Sequence, residues 1–185
     1  MNDEMLKRLD VEKVFGHTAD NMFDSTTRRS IWAMDDAKSG YTVFVSDTNG
    51  INKNKLLHII NSLNEEVVLW RIDGVLFARK TKCDCAFLHS DDITFVEFKV
   101  NAKNNSADTI EQHYNKAANQ LKETFLKFCK LYGDTFWDVF NDANAIAVFD
   151  PTVPQDNAMQ KSLRSLLADV GIDLQFMTEL EIKYP

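Results

Sequence analysis

Two short apolar runs joined by a polar turn, between Lys82 and Val100, constrain the fold most strongly. The runs read CDCAFLH and ITFVEFKV, and the intervening SDD supplies side chains that form local hydrogen bonds in turns. Their alternation at a period of two predicts a β-hairpin. Asp84 lies inside the first run, and Glu97 and Lys99 lie inside the second. Charged groups within half-buried strands need partners, so these three residues are the candidate site.

Strand alternation predicts which side chains meet. In the second strand Phe95, Glu97 and Lys99 share one face. If the hairpin pairs, Asp84 can lie on the Glu97 face of the neighbouring strand, so two carboxylates and one ammonium converge. In the first strand the two flanking cysteines, at positions 83 and 85, are predicted to share the opposite face as small core residues.

The remaining elements predict an α/β fold. A long amphipathic helix is predicted from Ser106, as N-cap, to Gly133. The other predicted elements are a helix over 2–15, a helical or irregular segment over 21–36, a strand over 41–47, a helix over 52–64, strands over 67–80 broken at Asp-Gly, a strand over 144–151, a helix over 158–171 and a strand region over 172–182. The pattern indicates one domain over residues 1–185, with a mixed central β-sheet flanked by helices and a core at about 52–150.

Composition limits the function classes. The formal net charge of -7 argues against a protein that coats nucleic acid through bulk positive charge, although an acidic metal site needs only local basic residues. Three cysteines, with no second pair at zinc spacing, favour neither a disulfide framework nor a zinc site. The charged N-terminal segment and the lack of a long apolar run predict a cytoplasmic protein with no membrane partner.

The three charged residues have a chemical use. Two carboxylates, a strand carbonyl such as that of Phe98, and waters suit Mg²⁺ or Mn²⁺, which prefer oxygen ligands. A metal at such a site activates water and polarises a phosphoryl oxygen, while a lysine orients the water or offsets developing charge. This set of groups therefore predicts phosphodiester hydrolysis.

Asp84, a spacer with a turn, Glu97-x-Lys99, a long helix and a further strand resemble the core of the PD-(D/E)XK nuclease superfamily, which has a restriction-endonuclease-like fold. The resemblance implies that Asp84 and Glu97 bind the divalent metal and that Lys99 assists catalysis. The superfamily usually takes a further acid from the preceding helix, and Glu66, or alternatively Glu65, is the candidate for that role here.

Further residues are candidates for contacts with a nucleic acid, with DNA expected over RNA. His113, Lys116 and Gln120 fall along one flank of the long helix. Basic residues near the site could form a rim for the phosphate backbone: Lys53, Lys55, Arg71, Arg79, Lys80, Lys82 and Lys103. Cutting both strands of a duplex needs two active sites, which makes a homodimer a further hypothesis.

A rival prediction is a catalytically inactive protein with the nuclease fold: an inhibitor, an antitoxin-like partner or a subunit of a defence complex. The acidic charge balance favours this alternative, and the intact set of Asp84, Glu97 and Lys99 favours the enzyme.

Overall fold

The structure is a computed structural model that describes residues 7, 9–16, 18–77, 82–100, 106–153 and 157–182. Three of the predicted rim residues, Arg79, Lys80 and Lys103, lie outside the described residues, as does most of the predicted N-terminal segment before Leu9.

The described elements are mostly strands, with one short helix before the first seven strands and three helices after them. The helices are α1 (Val11–Phe15), α2 (Ala107–Tyr132), α3 (Phe136–Val139) and α4 (Asn157–Ala168). The strands are β1 (Phe23–Thr26), β2 (Ser30–Asp36), β3 (Tyr41–Val45), β4 (Leu57–Ile60), β5 (Val67–Arg71), β6 (Cys85–His89), β7 (Asp92–Phe98), β8 (Asp142–Val148), β9 (Asp173–Phe176) and β10 (Glu179–Glu181). This is an α/β protein with mixed sheets flanked by helices, as the sequence predicts.

The larger sheet has six strands in the order β1-β5-β6-β7-β8-β9. The predicted hairpin is confirmed: β6 and β7 are antiparallel, with Cys85 opposite Val96 and His89 opposite Asp92. The long helix α2 then leads to β8, which pairs with β7 in parallel. A parallel neighbour requires such a crossover connection, so β7, α2 and β8 form one βαβ unit.

A second sheet of four strands, in the order β10-β4-β2-β3, was not predicted. The prediction of a helical or irregular segment over 21–36 is wrong, because residues 30–36 form a strand that buries Ile31 and Ala33 at a period of two. The predicted helix over 52–64 is also wrong. Asn52 caps a single 3-10 turn, and β4 follows with Leu57 and Ile59 buried. A short apolar run fits the period of a helix and that of a strand. Here pairing with neighbouring strands determines that these segments are strands.

The larger sheet separates two apolar layers. One layer lies against α2 and is rich in aromatic side chains, including Phe95, Phe125 and Phe128. The other lies between the two sheets and includes Val96, Phe98 and residues of β2 and β4. Successive residues of β7 therefore enter different layers, as the alternation predicts.

One buried arginine joins the two sheets. The Arg71 guanidinium donates to the backbone carbonyls of Thr42, Asn21 and Phe23, at 2.9, 2.7 and 3.3 Å, and to the Asp24 carboxylate at 3.0 Å. Thr42 belongs to β3, whereas the other partners lie at β1, beside β5. Arg71 was predicted as a rim residue for nucleic acid, but at 6% exposure it is a structural residue.

Candidate functional site

The structure brings Asp84 and Glu97 to the open end of the β6–β7 hairpin, away from its turn. Asp84 directly precedes β6, and its Oδ2 accepts a hydrogen bond of 2.6 Å from the backbone N–H of Phe98. Glu97 lies on the α2 face of β7, the face that also carries Phe95. This hydrogen bond, from the backbone of β7 to the Asp84 side chain, therefore holds Asp84 beside the strand that carries Glu97. We call Asp84, Glu97, Lys99 and Gln120 the acidic cluster.

Lys99 links Glu97 to the long helix. Its Nζ contacts Glu97 Oε1 and donates to Gln120 Oε1 at 2.9 Å. Gln120 in turn donates from Nε2 to the Lys82 carbonyl at 2.7 Å. Gln120, which was predicted to contact a nucleic acid, thus lies on the part of the helix that meets Lys99.

One oxygen of Glu97 lacks a partner. Glu97 is 2% exposed, and its Oε2 has no hydrogen-bond partner among the described residues. A buried carboxylate oxygen is costly unless a proton, a donor or a metal satisfies it. Glu97 Oε2 therefore lacks a hydrogen bond or a metal contact, and Glu97 is one of the predicted metal ligands.

Burial perturbs the protonation of both acids. Burial, opposed in part by the Phe98 N–H, raises the pKa of Asp84 to about 7. Burial and the neighbouring charge of Asp84 raise the pKa of Glu97 to about 8, against the opposing effect of Lys99. Without a metal, the folded protein thus favours a protonated Glu97 at neutral pH, while Asp84 is close to the midpoint of its titration. Perturbed carboxyls of this kind are typical of functional sites and also of buried structural pairs.

Two further acids belong to this end of the molecule and were not predicted. Asp35 follows Ile31 and Ala33 on the inward face of β2, and its charge acts on both Asp84 and Glu97. Burial and the neighbouring Asp73 raise the pKa of Asp35. Asp35 reaches the site only because the second sheet packs over the hairpin, and no local sequence signal indicates that packing.

A β-bulge after β5 places Asp73 at this end of the sheet. The backbone N–H groups of Ile72 and Asp73 both donate to the Asp84 carbonyl, at 3.1 and 3.0 Å, so two residues oppose one. The Asp73 carboxylate accepts from Lys82 Nζ at 2.8 Å, and Lys82 also contacts the Phe77 carbonyl. Lys82 is 8% exposed. Its predicted contact with a nucleic acid is therefore replaced by an internal ion pair.

The predicted third acid lies at the wrong end of the sheet. Glu65 accepts a hydrogen bond from Ser90 Oγ, in the hairpin turn, and Glu66 follows it directly before β5. The five residues of β6 separate Asp84 from Ser90, which is about 20 Å of extended strand. Neither Glu66 nor Glu65 can join Asp84 and Glu97. The assignment depended on a helix over 52–64, which the structure lacks.

The other predicted residues differ in how far they approach the cluster. Phe98 donates its N–H toward the Asp84 strand, and its carbonyl points to the same side because N–H and C=O of a strand residue face the same neighbour. Lys116 is exposed one turn before Gln120, and His113 is half-buried about two turns before it. Among the residues that the structure describes, Lys116 and His113 do not contact the two acids.

The two cysteines do not share a face. Cys83 packs in the layer against α2, whereas Cys85 packs between the sheets. The chain leaves the sheet before Asp84, because the Cys83 N–H donates to Thr124 Oγ1 of α2 at 2.8 Å instead of to a strand. This departure lets the segment approach the helix at the level of Gln120.

Within the described ranges no group of three or more His, Cys, Asp or Glu side chains is arranged to hold a metal ion. Mg²⁺ commonly binds through one or two protein carboxylates, with waters and substrate phosphates completing its shell. Asp84 and Glu97 offer that smaller set of hard oxygen ligands, and the unpartnered Glu97 Oε2 is compatible with it.

Comparisons of the chain with protein-family models, curated proteins and solved structures find no match. Among the described residues, no helix combines the length and apolar character that crossing a membrane requires. The fold and the acidic cluster therefore carry the functional argument.

Proposed function

We propose that this chain is a divalent-metal-dependent nuclease with a core of the PD-(D/E)XK type, acting on DNA. The observation that carries the proposal is the convergence of Asp84, Glu97 and Lys99, with the Glu97 Oε2 buried and unsatisfied among the described residues. Support also comes from the element order, since antiparallel β5, β6 and β7 are followed by α2 and by a parallel β8.

Asp84 and Glu97, with the Phe98 carbonyl, are the residues that would hold Mg²⁺ or Mn²⁺. Their oxygens are the ligands that these hard cations prefer. Such a bound ion supplies polarisation of a phosphoryl oxygen and a lowered pKa of coordinated water. Asp35 adds negative charge beside this pair, since its charge acts on both Asp84 and Glu97.

Lys99 is the proposed catalytic cation. Its ammonium offsets negative charge that develops on phosphoryl oxygens and orients the attacking water. Gln120 is a positioning residue, because its Oε1 accepts from Lys99 while its Nε2 is fixed by the Lys82 carbonyl. A fixed amide that holds a flexible lysine reduces the conformational entropy lost when the lysine acts.

A second candidate function is a binding protein with this fold and no cleavage activity. The observation in its favour is that Glu97 is 2% exposed and that its Oε1 is already engaged by Lys99. In such a protein the acidic cluster would be a structural polar group inside the fold, and a divalent ion would have no effect on stability.

The test is a cleavage assay on single-stranded DNA, duplex DNA and RNA, each with Mg²⁺, with Mn²⁺ and with EDTA. We expect metal-dependent cutting by the wild type and its loss in Lys99→Ala and Asp84→Ala. Matched controls are Lys130→Ala and Asp169→Ala, at exposed positions outside the cluster, which should retain activity.

Thermal unfolding separates the two candidate functions independently of the substrate. Preferential metal binding to the folded state raises the melting temperature with metal concentration. We expect this increase for the wild type and its loss in Asp84→Ala. No cutting on any polymer, together with a melting temperature unchanged by metal, would establish the binding protein instead.

A further inference from the structure

The open edge between the two sheets contains a cavity of about 370 Å³. It is lined by His89, Asp92, Thr94, Asp142, Asn144, Ile146, Gln175, Met177, Glu179, Leu180 and Glu181. Its size falls within the range of small-molecule sites in proteins. We call it the acidic cavity, because four of its lining side chains are carboxylates and none is a lysine or an arginine.

The floor of the acidic cavity is one face of the larger sheet. Along β7, Asp92 and Thr94 have the same parity as Val96 and therefore point away from α2, toward the second sheet. Along β8, Asn144 likewise has the same parity as Ile146. The face is apolar where the second sheet covers it and polar where the cover ends. The cavity thus lies on the opposite face of β7 from Glu97 and about five residues, or roughly 17 Å, along the strand.

The carboxylates of the floor have no lysine or arginine partner among the described residues. Asp92 and Asp142 are cross-strand neighbours in the parallel pair of β7 and β8. Among the described residues no lysine or arginine forms an ion pair with either acid. Burial, together with the charges of Asp142 and Asp91, raises the pKa of Asp92, and burial lowers the pKa of His89. His89, which also lines the cavity, therefore favours its neutral form.

Two buried polar side chains also face the cavity without a partner. Thr94 is 2% exposed and His89 is 9% exposed, and both line the cavity. Neither side chain has a hydrogen-bond partner among the residues that the structure describes. Buried hydroxyl and imidazole groups are normally hydrogen-bonded, so these two side chains point to a ligand or ordered solvent in the cavity.

The chemistry of the lining selects the class of ligand. Carboxylates with a threonine hydroxyl and amide oxygens accept hydrogen bonds from a cation that carries several N–H donors. Ile146, Met177 and Leu180 add apolar surface, which suits alkyl carbons between or beside the charged groups. A bare divalent metal would make no use of this apolar part of the lining.

We propose that the acidic cavity binds an organic cation, an alkylammonium or alkylguanidinium group. The ammonium or guanidinium lies between Asp92 and Asp142, and the alkyl portion lies against Ile146 and Leu180. Glu179, whose Oε2 lies 3.2 Å from His58 Nδ1, is at the rim. Two sources carry this chemistry: a free linear polyamine, and a lysine or arginine side chain of a partner. The site is independent of the nuclease proposal, because it shares no residue with the acidic cluster.

Calorimetric titration tests the proposal with spermidine, with a capped arginine peptide and with sodium chloride as the ionic control. We expect saturable binding of at least one organic cation at low salt, weakened at least tenfold in the double variant Asp92→Asn, Asp142→Asn. Tighter binding of spermidine would identify a free polyamine, and tighter binding of the peptide would identify a partner side chain. Asp134→Asn with Asp169→Asn, two exposed acids elsewhere, is the matched control and should bind as the wild type does.

A second variant keeps the test decisive if the double variant does not fold. Asn144→Lys places a covalently attached ammonium in the cavity and should abolish binding of both probes. Failure of both organic cations to bind the wild type overturns the proposal. Equal affinities for wild type and the variants also overturn it, because binding would then reflect the overall negative charge. Neither result depends on the cleavage assay.

Discussion

Glu97 and Asp92 lie on the same strand, but their carboxylates have different surroundings. Glu97 faces the long helix, where Lys99 and Gln120 supply an internal cation and a polar frame. Asp92 faces the second sheet, in a cavity whose described lining includes no lysine or arginine. Alternation puts the two acids on opposite faces of the strand. Lys99, two residues after Glu97, contacts Glu97, whereas no lysine or arginine lies in the described lining around Asp92, and this decides what each site can bind.

The largest expected difference between the two regions is in catalysis. We expect Glu97→Gln to lower metal-dependent cleavage by roughly 10²–10³-fold, because loss of one preorganised electrostatic group has effects of that size. Asp92→Asn, the same kind of change on the same strand, should leave the rate within about twofold. Initial rates on the preferred polymer measure both. Equal losses in the two variants would show that the acidic cluster has no special role.

The next effect is on the pH dependence of stability. The folded-state pKa of Glu97 is about 8 and that of Asp84 is about 7, above the ordinary values of these carboxyls. Between about pH 4.5 and 8 the folded state therefore binds more protons than the unfolded state. The free energy of unfolding should fall as pH rises through this window, by an amount on the order of a few kcal/mol, and level off above it.

Urea unfolding in EDTA at several pH values measures this slope. Glu97→Gln should flatten it, because the amide does not titrate, whereas Asp92→Asn should change it little, since Asp92 is partly exposed. A wild-type protein whose stability rises steadily from pH 5 to pH 8 would contradict the burial of these carboxyls.

A smaller effect is expected from the polar support behind the acidic cluster. Thr124 Oγ1 accepts from the Cys83 N–H at 2.8 Å and donates to the Gln120 carbonyl. Thr124→Val leaves a buried amide unpaired, which should lower the free energy of unfolding by about 1–3 kcal/mol. Thr27→Val, at an exposed position, is the control for the same change in side chain. Binding of organic cations at the acidic cavity should survive in both variants if the two regions are independent.

The smallest effect concerns the unliganded cavity. Burial and neighbouring acids raise the pKa of Asp92, so removing its charge relieves repulsion with Asp142. We expect Asp92→Asn to raise the melting temperature by about 1–2 °C while weakening cation binding. Asp169→Asn should leave the melting temperature unchanged. A lowered melting temperature in Asp92→Asn would show that this carboxylate has a stabilising partner inside the protein.

Local periodicity was sufficient to predict the hairpin, the long helix and the acids that share a face. Glu97, Lys99 and Gln120 meet because the two-residue repeat of β7 and the turn of α2 fix their directions. The segment over 52–64 was predicted wrongly because its apolar residues fit both a helix and a strand, and the error carried over to Glu66. Asp35 and Asp73 were missed for a different reason, since a second sheet and a β-bulge bring them in from a distance.

The acidic cavity also depends on contacts that local sequence patterns do not predict. Asp92 was interpreted as a turn residue, which is the natural interpretation of SDD between two apolar runs. In the structure it begins β7 and lies beside Asp142 of β8. Their proximity follows from the pairing of strands separated by a whole helix, and a period of two within either strand contains no information about it.

Arg71 has a mechanical consequence for the acidic cluster. Its guanidinium fastens β3 to the β1–β5 edge, and Thr42, whose carbonyl it contacts, pairs with Asp35. Because the two sheets are tied together at this point, the position of Asp35 relative to Asp84 and Glu97 is set by the backbones of both sheets. A substrate or a metal ion at the cluster would therefore meet a charge distribution that is already in place before it binds.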